Sequence, residues 1–120
     1  MPGISILRQR DILLATLPST LTDRELARLR RDLLDRIGRD RSRAVILDVT
    51  AVDVLDSFAT KLLGELTEAA RLRGALVYVV GIRPEVAMAM VLVGLSLPGV
   101  RTAVDLEQAL TDAGVPEAAG

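Results

Sequence analysis

The chain has 120 residues, half of them hydrophobic, so it is long enough for one domain with a single buried core. Its 15 basic and 16 acidic side chains leave a net charge of −1, which excludes overall electrostatic capture of nucleic acid or of an anionic membrane. Histidine and cysteine are absent, which excludes disulfides, thiolate zinc sites, cysteine nucleophiles and the commonest general base of hydrolases.

The first third of the chain predicts a β-hairpin followed by an amphipathic helix. Residues 4–7 and 12–17 are apolar and compatible with strands, and a polar tetrapeptide separates them. Thr22 opens a Thr-x-x-Glu capping box, so we expect the helix to begin there. Leucines at helical spacing continue as far as Ile37, and Gly38 is of the type that follows the end of a helix.

The outer face of this helix and the loop after it carry charges of both signs. Arginines alternate there with acidic residues, in the order Asp23, Arg24, Glu25, Arg28, Arg30, Arg31, Asp32, Asp35, Arg36, Arg39, Asp40, Arg41 and Arg43. Two interpretations remain open, namely a solvated face with ion pairs between residues four apart and a basic docking patch for a partner.

A strand buried on both faces is predicted at residues 44–49, because its apolar residues follow one another without polar alternation. Asp48, Asp53 and Asp56 lie at and just beyond the carboxyl end of this strand. Open α/β sheets usually place their ligand sites at that end. These three aspartates are therefore candidates for a ligand site.

A second helix is predicted directly after the acidic segment. Ser57 stands where an N-cap hydroxyl would accept a backbone N–H, and Arg71, Arg73 and Gly74 form a favourable helix end. The apolar residues of this helix recur at helical spacing, at Ala59, Leu62, Leu63, Leu66, Ala69 and Ala70.

The next stretch predicts a further strand and a short apolar helix. Residues 75–80 form an uninterrupted apolar strand, and Pro84 opens a helix that is hydrophobic almost all round until Gly94. This helix is far shorter than the ~20 residues that a membrane span requires. Either the domain itself covers it, or its outer face, including Met88 or Met90, packs on another subunit.

A short strand at residues 100–104 and a helix capped by Asp105 complete the element order β, β, α, β, α, β, α, β, α. This order predicts an α/β fold with a mixed, mostly parallel sheet of about five strands flanked by about four helices. We expect one domain over residues 1–115 and a disordered tail at residues 116–120. The N-terminus has no basic segment followed by a long apolar run, so we expect no signal peptide and a cytoplasmic location.

Recognisable catalytic motifs are absent from the sequence. It has no Gly-x-Gly-x-x-Gly loop, no Gly-x4-Gly-Lys-Ser/Thr loop and no Gly-x-Ser-x-Gly turn, so we expect a protein that is not an enzyme and uses no cofactor or metal. One enzymatic alternative stays open, in which Asp48, Asp53 and Asp56 hold Mg²⁺ or one of them accepts a phosphoryl group as in receiver domains. The two opening strands argue against a receiver, and Lys61, the only lysine, is not near the last strand.

The strand, acidic segment and serine-led helix resemble the signature of STAS domains, a fold shared by sulfate-transporter tails and anti-sigma-factor antagonists. The triplet Asp56-Ser57-Phe58 is similar to that of the stressosome scaffold branch of this family. The turn at residues 81–84, Gly-Ile-Arg-Pro, and the terminal helix at residues 105–110 resemble the same family. The resemblance therefore covers most of the chain.

The resemblance implies that Ser57 is phosphorylated by a partner kinase, with Thr60 as a secondary candidate. It also implies a partner-binding surface, formed by Asp53, Asp56, Ser57, Phe58 and Lys61. On the residues alone, a serine before a helix is more often only an N-cap, and the two roles can coexist. A phosphate brings about −1.5 to −2 charges, so a partner that had buried the neutral hydroxyl would be repelled.

The function implied by the resemblance is that of a stressosome scaffold that co-assembles with RsbR-type STAS paralogues into a homo- or hetero-oligomer. Such a scaffold holds an RsbT-type switch kinase until the kinase phosphorylates Ser57 and departs, and an RsbX-type phosphatase resets it. The alternative within the binding class is a single-domain antagonist that acts directly on an anti-sigma-factor kinase, as a monomer or dimer. Neither nucleic acid nor a membrane is an expected partner.

Overall fold

The computed structural model describes residues 4–114 of the chain. The elements in this range are β1 (Ile6–Gln9), β2 (Ile12–Thr16), α1 (Asp23–Asp40), β3 (Ala44–Asp48), α2 (Ser57–Leu72), β4 (Leu76–Val80), α3 (Pro84–Leu92), β5 (Arg101–Ala103) and α4 (Leu106–Asp112). The predicted element order is confirmed, whereas the predicted tail at residues 116–120 lies outside the described residues.

The five strands form one mixed sheet in the order β1-β2-β3-β4-β5. β1 and β2 form an antiparallel hairpin, and β2, β3, β4 and β5 run parallel to one another with a helix in each crossover. Thr16, Asp48 and Val80 are paired in register, so the carboxyl ends of the three inner strands meet at one edge of the sheet. The predicted α/β architecture, with a mixed, mostly parallel sheet of five strands flanked by four helices, is confirmed for the described residues.

Two apolar cores cover the two faces of the sheet, so the expectation of a single buried core is wrong. The larger core packs α1, α2 and α3 against the face that carries Leu13, Val45 and Val77. The smaller core packs α4 against the opposite face, which carries Ile46 and Tyr78. β3 and β4 lack polar alternation because their successive residues enter different cores.

Helix α1 begins where the sequence predicts and ends later. Thr22 is its N-cap, and the capping box is complete, with the Glu25 N–H donating to Thr22 Oγ1 at 3.1 Å and the Thr22 N–H donating to Glu25 Oε1 at 3.0 Å. The predicted end at Gly38 is wrong, because the helix continues to Asp40 and is capped by Arg41 in the left-handed conformation, with a φ of 51°. A Cβ on Gly38 would lie 2.6 Å from Nη1 of Arg73, so this glycine makes room for a guanidinium from α2.

Ion pairs cover the outer face of α1. The pairs between residues four apart are Arg28–Asp32, Arg36–Asp40 and Arg39–Asp35. A further pair joins α1 to α2, where Nη1 of Arg30 lies 2.8 Å from Oε1 of Glu65. These contacts fit the interpretation of a solvated face with ion pairs, of which exposed examples contribute little to stability.

Helix α3 is covered by the domain on one side only. Val86 and Met90 are buried in the larger core, whereas Met88 is 58% exposed and Val91 and Leu92 are exposed beside it. The domain therefore covers one apolar stripe of α3 and leaves a second stripe on the surface. Within residues 4–114, no helix has both the length and the apolar character needed to cross a membrane.

Candidate functional site

The acidic loop, defined here as residues 49–56, begins at the carboxyl end of β3. Asp48 Oδ1 accepts hydrogen bonds from the Thr50 N–H at 2.9 Å and from the Thr50 hydroxyl at 2.6 Å, which fixes the first turn. Thr50 packs against Gly81, where φ is 79° and a Cβ would collide with Thr50 Oγ1. The loop is therefore seated between the ends of β3 and β4.

Apolar side chains anchor the acidic loop and leave its acidic side chains outside. Val52 and Leu55 are each 6% exposed and belong to the larger core. Asp53 and Asp56 follow them in the chain and are exposed. The loop thus presents two carboxylates at the surface beside the start of α2.

The residue that caps α2 differs from the predicted one. Asp56 is the N-cap, with extended backbone, and its Oδ1 accepts a hydrogen bond from the Ala59 N–H at 2.8 Å. Ser57 is the first residue of the helix, so the prediction that its hydroxyl caps α2 is wrong. The physical reason is that an aspartate is as good an N-cap as a serine, and here the aspartate lies one position nearer the N-terminus.

The predicted site residues on α2 differ in accessibility. Ser57 and Lys61 are exposed, and Phe58 is 40% exposed despite being aromatic. Thr60 is only 7% exposed, and its hydroxyl donates a hydrogen bond to the Asp56 carbonyl oxygen at 2.8 Å. The structure thus places Ser57 on the surface and turns Thr60 toward the interior.

Arg83 belongs to the site and was missed as a site residue by the sequence analysis. It lies at the N-cap position of α3, and its Nη2 donates to the Val52 carbonyl oxygen at 2.8 Å and to Asp53 Oδ1 at 2.5 Å. Its Nη1 also lies 3.6 Å from Oε1 of Glu85. The signal that points to Arg83 is its place just after β4, because the carboxyl ends of neighbouring parallel strands lie at the same edge.

A family model for the STAS domain matches residues 4–109. This chain belongs to the STAS domain family. The match includes the acidic loop, Ser57 and Arg83, and the family predicted from the acidic loop and its serine is confirmed.

Three relatives match this STAS domain over most of its length. RsbT co-antagonist protein RsbRA of Bacillus subtilis (strain 168) is 32% identical over 103 residues, which is 86% of this chain and 38% of RsbRA. A serine-to-glutamate variant of RsbS from Moorella thermoacetica matches with a TM-score of 0.79 and 30% identity, over 92% of this chain and 93% of that chain. A structure described as the molecular architecture of the stressosome, a signal integration and transduction hub, matches with a TM-score of 0.75 and 31% identity, over 91% and 95% of the two chains.

An apolar groove lies between the acidic loop and α3 of this STAS domain. It has a volume of about 400 Å³, and Asp53, Asp56 and Ser57 stand among its lining residues. The apolar residues that line it are Val54, Leu55, Val86, Ala89, Val93 and Leu95. On the other side of the loop, a smaller hollow of about 150 Å³ opens toward the start of α1. The acidic loop therefore projects between two hollows.

The acidic side chains of the STAS domain do not form a metal site within residues 4–114, where no group of three or more potential ligands is close enough to hold an ion. Each aspartate has a local partner instead. Asp48 bonds to Thr50, Asp53 to Arg83, and Asp56 to the backbone of α2. Within the described residues, Asp48, Asp53 and Asp56 are therefore not grouped as a shared Mg²⁺ site requires, whereas acceptance of a phosphoryl group by one of them stays a prediction.

Proposed function

We propose that this chain is a stressosome scaffold of the anti-sigma-factor antagonist type, which holds a switch serine/threonine kinase and releases it once Ser57 is phosphorylated. The observation that carries this proposal is the exposed position of Ser57 at the start of α2, next to the carboxylate of Asp56. Because Asp56 caps the helix, the Ser57 hydroxyl is not required for that role. The hydroxyl can therefore be modified without loss of the cap.

The relatives support this proposal. RsbRA is by name a co-antagonist of RsbT, and the RsbS structure carries a glutamate in place of a serine. For this chain we infer an RsbT-like kinase as the bound partner, RsbR-like STAS paralogues as co-subunits and an RsbX-like phosphatase as the enzyme that resets it. In this proposal the chain is a cytoplasmic binding partner and kinase substrate, and not itself an enzyme.

The proposed kinase-binding surface lies at the end of the acidic loop and on the first turn of α2. Asp53 and Asp56 precede Ser57, and Phe58 and Lys61 follow it, all five at the surface. Partly exposed aromatic residues commonly supply much of the energy of an interface. The exposed stripe of α3, with Met88, Val91 and Leu92, is the proposed surface for packing on a co-subunit.

Phosphorylation changes the charge at the start of α2. A phosphoserine carries about −1.5 to −2 charges, whereas a helix N-terminus compensates only about +0.5. Like charges about 6 Å apart repel by about 1 to 3 kcal/mol at effective dielectric constants of about 20 to 80. In the free domain, water solvates the phosphate. A partner that had buried the neutral hydroxyl must remove this water from the phosphate in addition to facing the repulsion. A loss of a few kcal/mol weakens binding by about two orders of magnitude.

The proposal is tested by incubating the chain with its switch kinase and ATP and locating phosphate by mass spectrometry. We expect one phosphate, at Ser57, which disappears in Ser57→Ala and persists in Thr60→Val. We also expect Ser57→Asp to weaken retention of the kinase relative to Ser57→Ala. Equal retention of the kinase by Ser57→Asp and the unmodified chain would count against the proposed switch.

Mass-resolved sizing separates a scaffold from a direct antagonist of an anti-sigma-factor kinase. A scaffold mixed with an RsbR-like paralogue elutes as a very large particle, whereas a direct antagonist stays a monomer or dimer. The exposed stripe of α3 gives a matched variant, since Val91→Glu places a charge at a residue that is 70% exposed, whereas Val86 and Met90 are covered. We expect Val91→Glu to reduce the particle size and to leave phosphorylation of Ser57 intact.

A further inference from the structure

We propose that Arg83 is a positioning residue that presents Ser57 to its kinase, and that Asp53 acts through Arg83 rather than by direct contact with the kinase. This inference rests on the proposed function and names a further residue of the same site. It is carried by the pair of hydrogen bonds from Nη2 of Arg83 to Val52 and Asp53, which we call the Arg83 bridge.

The Arg83 bridge joins two segments that are each well fixed. At one end, the Arg83 carbonyl oxygen accepts hydrogen bonds from the N–H groups of Val86 and Ala87, both at 2.9 Å, so the residue is part of the first turn of α3. The side chain is 36% exposed and its Nε is buried. At the other end, Val52 is 6% exposed and its N–H donates to the Val49 carbonyl oxygen at 3.0 Å.

The segment between the bridge and Ser57 is short, and besides the bridge the Asp53 N–H donates to the Ser19 carbonyl oxygen at 3.2 Å. Asp53 and Val54 are exposed, Val54 to 69%, and Leu55 is the buried side chain of this segment. Without the bridge, the Val52 carbonyl oxygen loses a charged donor and the Asp53 carboxylate loses its partner. The loop then samples more conformations, and a kinase must order it at a cost in binding free energy.

The Arg83 bridge also affects the charge that Asp53 presents to a partner. Its carboxylate lies 2.5 Å from the Arg83 guanidinium, so its charge is paired within the domain. Asp56 is likewise engaged with the helix backbone. A kinase that approaches Ser57 therefore meets a paired carboxylate at position 53, and the role of Asp53 is to hold the guanidinium against the loop.

A double-mutant cycle tests this inference in the full chain. Kinase affinity is measured for the unmodified protein, Asp53→Asn, Arg83→Gln and the double variant. We expect each single variant to bind about tenfold more weakly, as loss of a charge-assisted hydrogen bond predicts, and the double variant to bind no more weakly than Arg83→Gln alone. If Asp53→Asn weakens binding equally in both backgrounds, Asp53 contacts the kinase directly and the inference is wrong.

Two controls separate positioning from a loss of folding. Glu85→Gln removes the same charge as Asp53→Asn from a second neighbour of Arg83, and we expect unchanged kinase affinity because the bridge remains. Arg83→Lys keeps one donor and should recover part of the affinity that Arg83→Gln loses. In the absence of kinase, hydrogen exchange in Arg83→Gln should be faster in the acidic loop and unchanged in β3 and β4. If exchange in β3 and β4 accelerates as much as in the loop, the variant has a structural defect and the inference is overturned.

Failure of the proposed function and failure of the Arg83 inference give different experimental results. An unmodified chain that neither binds nor is phosphorylated by a switch kinase overturns the proposed function and this inference together. An unmodified chain that binds the kinase, with Arg83→Gln binding equally well, overturns the role of Arg83 alone.

Discussion

At the start of α2, the helix cap and the proposed phosphorylation site are two adjacent residues, Asp56 and Ser57, although the sequence analysis assigned both roles to Ser57. The Asp56 carboxylate accepts the Ala59 N–H, and the Ser57 hydroxyl remains at the surface. This division matters for a phosphorylation site, because a hydroxyl that caps a helix loses the cap bond when it is modified. A separate capping residue lets the helix persist in both states.

Because Asp56 caps α2, substitutions of Asp56 should lower the stability of the domain more than substitutions of Ser57. Asp56→Ala should lower the free energy of unfolding by about 1 kcal/mol, because it removes the cap bond, whereas Asp56→Ser should retain most of it. Ser57→Ala should change the free energy of unfolding by no more than about 0.5 kcal/mol, as for a surface substitution. Urea denaturation followed by circular dichroism measures all three, and a larger loss in Ser57→Ala than in Asp56→Ala would contradict the assignment of the cap.

The roles of the site residues could be predicted from the sequence only in part, for physical reasons. Asp56 and Ser57 are both strong N-cap types in consecutive positions, so helical periodicity cannot decide between them. Arg83 lies 30 residues from Asp53 in the chain, and the target of a long side chain depends on the packing of α3 beside the loop. Thr60 is turned inward by the same helical register that exposes Ser57, a consequence that follows only once the buried face of α2 is known.

At the scale of elements, the existence of every strand and helix within residues 4–114 followed from apolar periodicity, but the distribution of the helices between the two faces did not. Within this range, α1, α2 and α3 share one face and the seven-residue α4 covers the other. A helix this short buries little apolar surface, so polar contacts carry more of its attachment. The Tyr78 hydroxyl donates to Asp112 Oδ2 at 2.9 Å, and Nη1 of Arg43 donates to the Ala113 carbonyl oxygen at 2.8 Å.

The contact between Tyr78 and Asp112 predicts the behaviour of α4. Burial raises the pKa of the Tyr78 hydroxyl, and the Asp112 carboxylate adds to this shift, so the hydroxyl stays protonated and keeps its hydrogen bond at ordinary pH. Tyr78→Phe keeps the ring and removes the bond, which should lower the free energy of unfolding by about 1 kcal/mol. Hydrogen exchange should accelerate in α4 and stay unchanged in α1 and α2. A uniform change across the chain would show that α4 does not depend on this contact.

At the scale of the whole molecule, the response to pH is set by carboxylates because the chain has no histidine. The Arg43 side chain lowers the pKa of Asp11, the Thr22 N–H lowers that of Glu25, and the Arg36 side chain lowers that of Asp40. A carboxylate whose pKa is lower in the folded than in the unfolded state contributes stability that is present above the unfolded value and lost as pH falls through the folded one. These three contacts lie at the hairpin turn and at the two ends of α1, so they protect the N-terminal half of the domain.

The midpoint of thermal unfolding should therefore be nearly constant between about pH 6 and 8 and should fall below about pH 4.5, since the ordinary pKa values of these aspartates and of Glu25 are 3.8 and 4.5. Glu25→Gln keeps the form of the capping box but does not titrate, so the fall on acidification should be smaller in this variant than in the unmodified chain. Differential scanning calorimetry across this range measures both. The prediction is wrong if the midpoint stays constant down to about pH 3, or if it falls equally in Glu25→Gln and in the unmodified chain. Either result would mean that these carboxylate contacts do not stabilise the domain near neutral pH, and that its stability rests on the two apolar cores alone.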